Sequence, residues 1–307
     1  MDSNSPSTNL LTQCPLCHGP LHVQPGAKGV REKAENYADC HQACAACAIG
    51  LTNARPNPTF IRKDWRAGLW RTETASRLEH IVEHSLNRRS RAKKAIRLAY
   101  ERSEDMLTWN VFSYLEDAGL LAEILKTVGV DTPPRDVQIY YWGANDRYSF
   151  PGIPLNQLFV ETFCEKPSSV SEPDVMLLGT RQLTIIEAKL GSTNPVQKEK
   201  PFAKYVRPVS RWFRELPTVQ TGGYYELTRN WAIGALIAER LGISFALVNL
   251  VREGEELGIE TAFGRAISSL GNFRRLTWEK IADAADPILR GYLARQTLYG
   301  NLAFARR

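Results

Sequence analysis

The residues with the clearest capacity for chemistry lie in a β-rich segment at 172–189, Glu-Pro-Asp-Val-Met-Leu-Leu-Gly-Thr-Arg-Gln-Leu-Thr-Ile-Ile-Glu-Ala-Lys. Its two halves are rich in strand-forming residues and flank a four-residue turn, so the segment predicts a β-hairpin. If Leu178 pairs with Leu183, the same register sets Asp174 opposite Glu187, with Cβ atoms about 5 Å apart. The hairpin therefore brings two carboxylates together.

Opposed carboxylates destabilise a sheet unless a divalent cation lies between them and reverses the sign of the interaction. Because side chains alternate along a strand, Lys189 lies on the same face as Glu187, about 7 Å further along. Mg²⁺ or Mn²⁺ held by Asp174 and Glu187 can activate water, while Lys189 stabilises a phosphorane-like transition state. We expect phosphodiester hydrolysis, because the alternative, a Glu–Lys surface pair on an edge hairpin, leaves Asp174 unexplained.

A second chemical signal is a group of cysteines near the N-terminus. Cys14 and Cys17 form one CxxC pair, Cys44 and Cys47 form another, and 26 residues separate the two pairs. Two such pairs in a reducing compartment are typical of a tetrahedral zinc site with four cysteine ligands. Zinc would also explain how a short segment with few large apolar residues can fold.

The other cysteines and histidines leave alternatives open. Cys40 or His41 can replace one zinc ligand, and the group can instead hold an iron–sulfur cluster or no metal. Cys164 lies in a predicted strand, where we expect a small buried hydrophobe. His80 and His84 are four residues apart, and we interpret them as part of a solvated helix face.

Helical patterns flank the hairpin on both sides. We predict helical structure over 72–102 and a further helix that begins after Ser103 as its N-cap. A long helix is predicted over 224–241 with Gly242 as its C-cap. A last helical region is predicted at 277–293, capped by Thr277 and split at Pro287.

Between these helices the period changes to that of strands, after Pro133 and Pro134. We predict strands at 137–142, 158–164, 174–178, 183–190 and 244–251. This order of elements predicts an α/β fold with a sheet that has helices on both faces.

The hairpin resembles the PD-(D/E)xK nuclease superfamily: Pro173-Asp174 is followed, after twelve intervening residues, by Glu187-Ala188-Lys189. The resemblance implies a restriction-endonuclease-like mixed sheet of four strands flanked by helices, extending from Ser103 to Val251. It also implies that Asp174, Glu187 and Lys189 are the catalytic residues, with the metal on the two acids.

The resemblance further implies an extra acidic residue on the first helix of the fold, near the metal. Glu104 is our candidate, with Asp105 or Glu116 as alternatives. In the same family the helix at 224–241 often faces the active site, so Glu226 and Arg229 are secondary candidates, unless they form a simple surface pair.

Basic residues are concentrated in one part of the chain. From Arg55 to Arg102 there are 13 Lys or Arg and 5 Asp or Glu, whereas the whole chain has a net charge of +6. A local basic block favours contact with a polyanion, with a solvated helix face as the alternative. The candidate nucleic-acid contacts are Arg88, Arg89, Arg91, Lys93 and Lys94, with Arg207 and Arg211 in a second stretch. We expect the neighbouring Trp212 and Phe213 to be buried rather than stacked on bases.

The composition fits a folded protein of one large domain or two smaller ones. The chain has 307 residues, 43% hydrophobic and 23% charged, and no apolar run long enough to cross a bilayer. We expect a cytoplasmic protein without a signal peptide and without a membrane partner. The predicted segments are a zinc module at 1–60, a basic helical linker at 61–102, a nuclease core at 103–255 and a C-terminal helical extension at 256–307.

These observations predict a Mg²⁺-dependent DNA endonuclease with a zinc module, for which restriction or phage defence is a plausible setting by analogy with the family. A structure-selective repair or recombination nuclease is one alternative. An inactive nucleic-acid-binding adaptor on the same fold is another. DNA is the expected partner, and a homodimer stays open.

Overall fold

The computed structural model describes residues 12–29, 32–52, 59–127, 137–268 and 272–298. The chain divides into two compact units. The first comprises Met1–Ala75 and Ala92–Met106, and the second comprises Ser76–Arg91 and Leu107–Arg307. The finer division into four segments stays a prediction. Pro133 and Pro134 lie outside the described residues.

The first unit contains a small antiparallel sheet in which each strand pairs with the next along the chain. Its strands are β1 (His22–Val23), β2 (Gln42–Cys44), β3 (Ile49–Leu51) and β4 (Phe60–Arg62). Sequence reasoning did not predict this sheet, because two or three residues are too few to show alternation. Gly50 allows its close packing, since a Cβ there would lie 2.5 Å from the Cβ of Cys40.

The helical region predicted over 72–102 is interrupted. The structure has α1 (Ala75–His84), a 3₁₀ turn at Arg88–Ser90 and α2 (Arg91–Arg97). The next helices are α3 (Glu104–Asp117) and α4 (Leu121–Thr127). Ser103 caps α3 as predicted, because its Oγ accepts a hydrogen bond from the backbone N–H of Met106 at 3.1 Å.

The second unit is built on a mixed sheet of five strands with helices packed against it. The strands, in their order across the sheet, are β5 (Gln138–Tyr141), β6 (Val175–Leu178), β7 (Gln182–Ala188), β8 (Ser244–Val251) and β9 (Phe273–Thr277). The pairs β5–β6 and β6–β7 are antiparallel, whereas β7–β8 and β8–β9 are parallel. The fold is therefore mixed α/β. The fifth strand lies in the segment predicted to be a helical extension, so that segment is not purely helical.

The helices of the second unit that follow β5 surround this sheet. They are α5 (Leu155–Phe163), α6 (Ala203–Val206), α7 (Leu216–Gly222), α8 (Tyr225–Leu241), α9 (Ile259–Gly264), α10 (Trp278–Ala284) and α11 (Pro287–Leu298). The cap at Gly242, the cap at Thr277 and the break before Pro287 are as predicted. None of the helices in the described ranges combines the length and apolar character that a membrane span requires.

The strand predicted at 158–164 is wrong, because this stretch belongs to helix α5. Leu155, Leu158, Phe159 and Phe163 are all buried, and their spacing of three or four residues builds one apolar helix face. Cys164 ends this helix in a left-handed conformation with φ 53° and is exposed, so it is not the buried hydrophobe we expected.

Helix α8 packs closely on the central strands, and its residues from Leu227 to Ala238 are almost all buried. Gly234 allows this approach, because a Cβ at that position would lie 2.5 Å from Cε2 of Phe245 on β8. Trp231, one turn earlier, contacts the same phenylalanine ring with centroids 4.7 Å apart. The helix therefore has a fixed position against β7 and β8, the strands that carry the site.

Candidate hydrolytic site and cysteine cluster

The hairpin formed by β6 and β7 has the predicted register. Leu178 pairs with Leu183, and Val175 pairs with Ile186. The backbone N–H of Gly179 donates to the carbonyl of Gln182 at 2.9 Å, and β7 already begins at Gln182. The connection is therefore one residue shorter than the turn predicted over 179–182.

Asp174 lies one residue before β6, and the backbone of the neighbouring strand holds its carboxylate. Its Oδ2 accepts a hydrogen bond from the N–H of Ala188 at 2.9 Å. Its own carbonyl accepts from the N–H of Trp142 at 3.2 Å. These two contacts keep the Asp174 side chain beside the end of β7, next to the residues Glu187 and Lys189.

Glu187 is a buried carboxylate, 3% exposed, with a donor at each oxygen. The ammonium of Lys189 lies 2.6 Å from its Oε1, and the side-chain amide of Asn230 on α8 donates to its Oε2. Lys189 also contacts Oε2 of Glu226 at 2.9 Å. The ammonium thus bridges a carboxylate of β7 and a carboxylate of α8. The alternative in which Glu226 and Arg229 form a simple surface pair is therefore wrong, because Glu226 pairs with Lys189.

The backbone of Lys189 is fixed on both sides. Its N–H donates to the carbonyl of Leu250 at 2.8 Å, and its carbonyl accepts from the indole Nε1–H of Trp278 at 2.8 Å. The second of these hydrogen bonds is buried. The lysine is therefore held by the sheet and by the first residue of α10.

Opposite charges at the site favour the charged forms of Lys189, Arg229 and Glu226. Burial disfavours the charged form of Lys189, but the carboxylates of Glu187, Asp174 and Glu226 outweigh burial and raise its pKa above the usual lysine value. Burial likewise opposes the charge of Arg229, and Glu187 and Glu226 outweigh it, so the pKa of Arg229 is raised. The pKa of Glu226 is lowered although burial acts in the other direction, because Lys189 lies beside it.

A buried polar cluster continues the site along the sheet. Asn249 on β8 is the register partner of Glu187 and is fully buried. Its Oδ1 accepts from Nδ2 of Asn194 at 3.0 Å, and its Nδ2 donates to Oε2 of Glu256 at 2.6 Å. Glu256 has φ 52° and also accepts from Nδ2 of Asn194 at 2.9 Å. This cluster fixes the segment that follows Lys189.

Whether the donor set at the hairpin holds a hard divalent cation stays a prediction, for which Asp174 and Glu187 are the candidate ligands. Mg²⁺ is commonly bound through one or two carboxylates and keeps several waters or substrate phosphate oxygens. Asp174 and Glu187 supply two carboxylates of that kind. Each oxygen of Glu187 has one described hydrogen-bond donor but two lone pairs, so one lone pair on each oxygen is left for a metal ion. Among the described residues, the one group of three or more Cys, His, Asp or Glu side chains placed to hold a metal ion is the cysteine group of the first unit. At the hairpin the candidate ligands are therefore two, Asp174 and Glu187.

The candidates for an extra acid on the first helix lie in different surroundings. Glu104 is in the first turn of α3, within the part of that helix that belongs to the first unit, and its role stays a prediction. Asp105 lies 3.7 Å from the buried ammonium of Lys94. Glu116 is ion-paired with Arg77.

The residues of the first basic stretch differ in exposure. Arg88, Arg89 and Lys93 are exposed. The Nε of Arg91 donates to the carbonyl of Ser85 at 3.0 Å, and burial with the nearby charge of Arg88 lowers its pKa. Lys94 is only 9% exposed. Three of the five predicted contacts are therefore directed to solvent.

The second basic stretch is not one continuous helix. Helix α6 ends at Val206 and is followed by a 3₁₀ segment, Arg207–Trp212. Arg207 and Arg211 are exposed, and Arg211 contacts the carboxylate of Glu239 at 2.5 Å. Phe213 is buried, as expected, and Trp212 packs against the same core.

The four predicted zinc ligands come together in the first unit. The Sγ atoms of Cys14, Cys17, Cys44 and Cys47 all lie within 4.8 Å of one another. The Sγ atoms of Cys17 and Cys44 lie 3.6 Å apart. Backbone N–H groups of Leu16 and Cys47 donate to Sγ atoms of the cluster at 3.4 Å each. Four sulfur donors in this arrangement can hold a metal ion and are consistent with zinc.

Cys40 is not part of this cluster. It is fully buried in a separate group with Ala34, Ile61 and Ala99, and its Sγ donates to the carbonyl of Asn36 at 3.4 Å. The residues that directly follow the two CxxC pairs, His18 and Ala48, have φ of 59° and 50°. The backbone therefore bends sharply after each CxxC pair. The Sγ atoms of both pairs lie together in the cluster.

Two residues that contact Glu187 or Lys189 were not found by sequence reasoning. Asn230 lies one helical turn after Glu226, so the helix period was a usable signal for it. Trp278 lies 89 residues from Lys189, and no local pattern connects the two. Comparison of this chain with protein-family models, with curated proteins and with solved structures finds no match in any of the three.

Proposed function

We propose that this protein is a metal-dependent nuclease that hydrolyses phosphodiester bonds in DNA, with Mg²⁺ or Mn²⁺ as its cofactor. The observation that carries the proposal is the convergence of Asp174, Glu187 and Lys189 at the end of a β-hairpin. The motif of these residues resembles that of the PD-(D/E)xK superfamily. An antiparallel hairpin followed by a parallel strand and a packed helix is similar to the framework of that family.

Each residue has a role that its surroundings support. Asp174 and Glu187 would hold the metal, which when bound activates water and neutralises charge on the phosphate. Lys189 keeps its positive charge among three acids and supplies an ammonium for the developing charge on the phosphate oxygens. Asn230 orients the Glu187 carboxylate, and Glu226 orients the Lys189 ammonium.

The exposed arginines of the first basic stretch lie close in the structure to the residues that lead into the hairpin. The N–H of Asn87 donates to Oε1 of Glu172, two residues before Asp174. The N–H of Arg89 donates to the carbonyl of Ser168 at 2.8 Å. Arg88 and Arg89 would therefore contact phosphates of a polynucleotide bound at the hairpin.

The cysteine cluster would bind zinc and stabilise the first unit, in which the described residues include two small groups of buried apolar side chains. A role in restriction or phage defence, a cytoplasmic location and a homodimeric state stay predictions. So does the choice between an endonuclease of that kind and a structure-selective repair nuclease.

The test is incubation of the purified protein with plasmid, linear and single-stranded DNA, with Mg²⁺ and without added divalent metal. Omitting Mg²⁺ is preferable to a chelator because it leaves zinc in place. We expect cleavage that requires Mg²⁺ and is lost in Lys189→Ala. Lys280→Ala, which removes an exposed lysine from α10, is the matched control and should cleave normally.

Two outcomes would contradict the nuclease proposal. Cleavage that persists in Lys189→Ala would show that another site or a contaminant is responsible. DNA binding by the unmodified protein without cleavage under any metal condition would favour the adaptor alternative. Preference among the three DNA forms would distinguish a structure-selective enzyme from one that cleaves all duplex DNA.

A further inference from the structure

A cavity lies in the second unit, at the start of the edge strand β9. It has a volume of about 660 Å³, and three arginines line it: Arg214, Arg265 and Arg274. Glu260 is the one acidic residue among the lining side chains that the structure describes. The floor includes the buried ring of Phe273. The wall is therefore strongly basic, although none of these arginines belongs to the hydrolytic site.

Backbone contacts hold two of the arginines side by side. The segment of Phe213 runs antiparallel to that of Ile267, with a β-bridge between these two residues. The N–H of Arg214 donates to the carbonyl of Ala266 at 2.9 Å. Arg265 directly precedes Ala266, at the end of α9. The main chain thus places the backbones of these two exposed arginines side by side.

The third arginine comes from a different element. Arg274 is the second residue of β9, and its Nη1 donates to the carbonyl of the preceding Phe273 at 3.0 Å. The sheet fixes its position, because Arg274 is the register partner of Val248 on β8. Three separate segments of the chain therefore bring their arginines to one cavity.

The three guanidinium groups have no acidic partner among the described residues. Arg214 and Arg265 form no side-chain hydrogen bond or ion pair there, and Arg274 has only the carbonyl contact. The carboxylate of Glu260 accepts instead from the backbone N–H of Arg275 at 3.0 Å. The partial negative charge at the C-terminus of α9 favours Arg265, which lies there, but not the other two arginines.

Three arginines that line one cavity repel one another, and a bound anion would relieve that repulsion. Arginine presents a planar fork of donors that matches phosphate oxygens in two-point contacts. We propose that this cavity binds backbone phosphate groups of the nucleic acid on which the hydrolytic site acts. The ligand class rests on the proposed nuclease function, whereas the anion site itself rests on the three arginines.

The cavity lies at the edge of the same sheet, two strands away from the hydrolytic site. Arg274 is level with Ile186, through Val248, and two strand spacings separate their backbones by about 10 Å. Ile186 directly precedes Glu187, and side chains alternate along a strand, so Arg274 and Glu187 project to opposite faces of the sheet. A polynucleotide that contacts both would therefore pass around the edge strand β9.

The test measures DNA binding and needs no cleavage. A short fluorescent duplex is titrated with protein without added divalent metal, over a series of salt concentrations. The double variant Arg265→Ala/Arg274→Ala is compared with Arg181→Ala/Arg240→Ala, which removes the same net charge from exposed positions outside the cavity. Inorganic pyrophosphate serves as a competitor in both cases.

We expect the cavity variant to bind the duplex at least about tenfold more weakly than the control, with a salt dependence reduced by about two phosphate contacts. Equal affinities and equal salt slopes of the two variants would overturn the proposal. The proposal would also be overturned if the cavity variant no longer bound pyrophosphate but bound the duplex as tightly as the control. The cavity would then bind a free phosphate compound and not the nucleic acid.

The two proposals fail separately. If Mg²⁺-dependent cleavage is absent but the cavity variant still loses duplex affinity, the nuclease proposal fails and the phosphate site holds. If cleavage is present and both double variants bind DNA alike, the phosphate site fails and the nuclease proposal holds.

Discussion

The side-chain amide of Asn230 donates to Oε2 of Glu187, while the ammonium of Lys189 lies 2.6 Å from Oε1 of the same carboxylate. Asn230 on helix α8 and Lys189, which directly follows strand β7, thus contact one buried acid from two sides. A buried carboxyl group without hydrogen-bond partners carries a large free-energy cost, so these contacts make the burial of Glu187 compatible with the fold. They also fix the direction in which its remaining lone pairs point.

Asn230→Asp replaces the donor with a second acid beside Glu187. We expect a loss of about 1–3 kcal/mol in the free energy of unfolding, because a buried hydrogen bond becomes a repulsive contact. We also expect 10–100-fold weaker activity, in the range typical of residues that orient metal ligands. Urea unfolding and the Mg²⁺ concentration for half-maximal cleavage measure the two effects.

The matched control for this change is Asn156→Asp, which removes an exposed amide hydrogen bond to the carbonyl of Pro167. The control should change the free energy of unfolding by less than about 0.5 kcal/mol. Equal behaviour of the two variants would show that the contact between Asn230 and Glu187 has no special role.

Lys189→Met keeps the length of the side chain and removes its charge. We expect cleavage to fall by at least about 10²-fold, because in the proposed mechanism the Lys189 ammonium stabilises the charge that develops on the phosphate. Lys189→Arg keeps the charge and should retain more activity than Lys189→Met. Single-turnover cleavage rates at saturating protein distinguish this effect from weaker DNA binding. A Lys189→Met rate near that of the unmodified protein would contradict the assigned role.

Glu226 makes the stability of the second unit depend on acid pH. Since Lys189 lowers the folded-state pKa of Glu226, its contribution is present above the unfolded value of about 4.3 and is lost as the pH falls through the folded value. Glu226→Gln should therefore be less stable at pH 7 by about 1 kcal/mol, a magnitude suited to a partly exposed ion pair. The difference should shrink below pH 4.

Unfolding curves of both proteins between pH 3 and pH 7 check this prediction. A stability difference that stays constant over the range would show that Glu226 acts through packing and not through its charge.

Metal removal should affect the first unit more than the second. Structural zinc contributes about 10 kcal/mol or more to the folding of small cysteine modules. Cys44→Ser should therefore lower the bound zinc and make the first unit sensitive to protease, whereas Cys164→Ser, at an exposed cysteine outside the cluster, should leave both unchanged. Elemental analysis and limited proteolysis measure these effects. A protein that contains iron and sulfide would contradict the zinc assignment.

Gly234→Ala tests the packing of α8 on the sheet. The added methyl group would lie 2.5 Å from Cε2 of Phe245, so we expect a loss of about 1–3 kcal/mol in the free energy of unfolding. Gly254→Ala is the control, because nothing lies within 4 Å of the added Cβ. Thermal or urea unfolding compares the two, and equal stabilities would contradict the close approach of helix and strand.

Features set by local pattern could be predicted from the sequence. The register of the hairpin follows from a short turn between two apolar runs, and helix α8 follows from its period and from Gly242. The four cysteines of the metal cluster follow from their spacing. In each case the determining residues are close in sequence or carry a distinctive side chain.

Features set by distant contacts could not be predicted. Strand β9 has two arginines among five residues and is stabilised by its pairing with β8, which local composition does not reveal. Helix α5 was misread because its phenylalanines and Val160 favour strands, although its apolar spacing is helical. Asn230 and Trp278 reach the site only through tertiary structure.

Because of the hydrogen bond from Trp278 to the carbonyl of Lys189, the site is complete only after a late part of the chain has been synthesised. The ribosome makes the hairpin long before it adds the indole that secures the lysine. A nascent chain that carries Asp174, Glu187 and Lys189 therefore still lacks one of their supports until translation has passed residue 278.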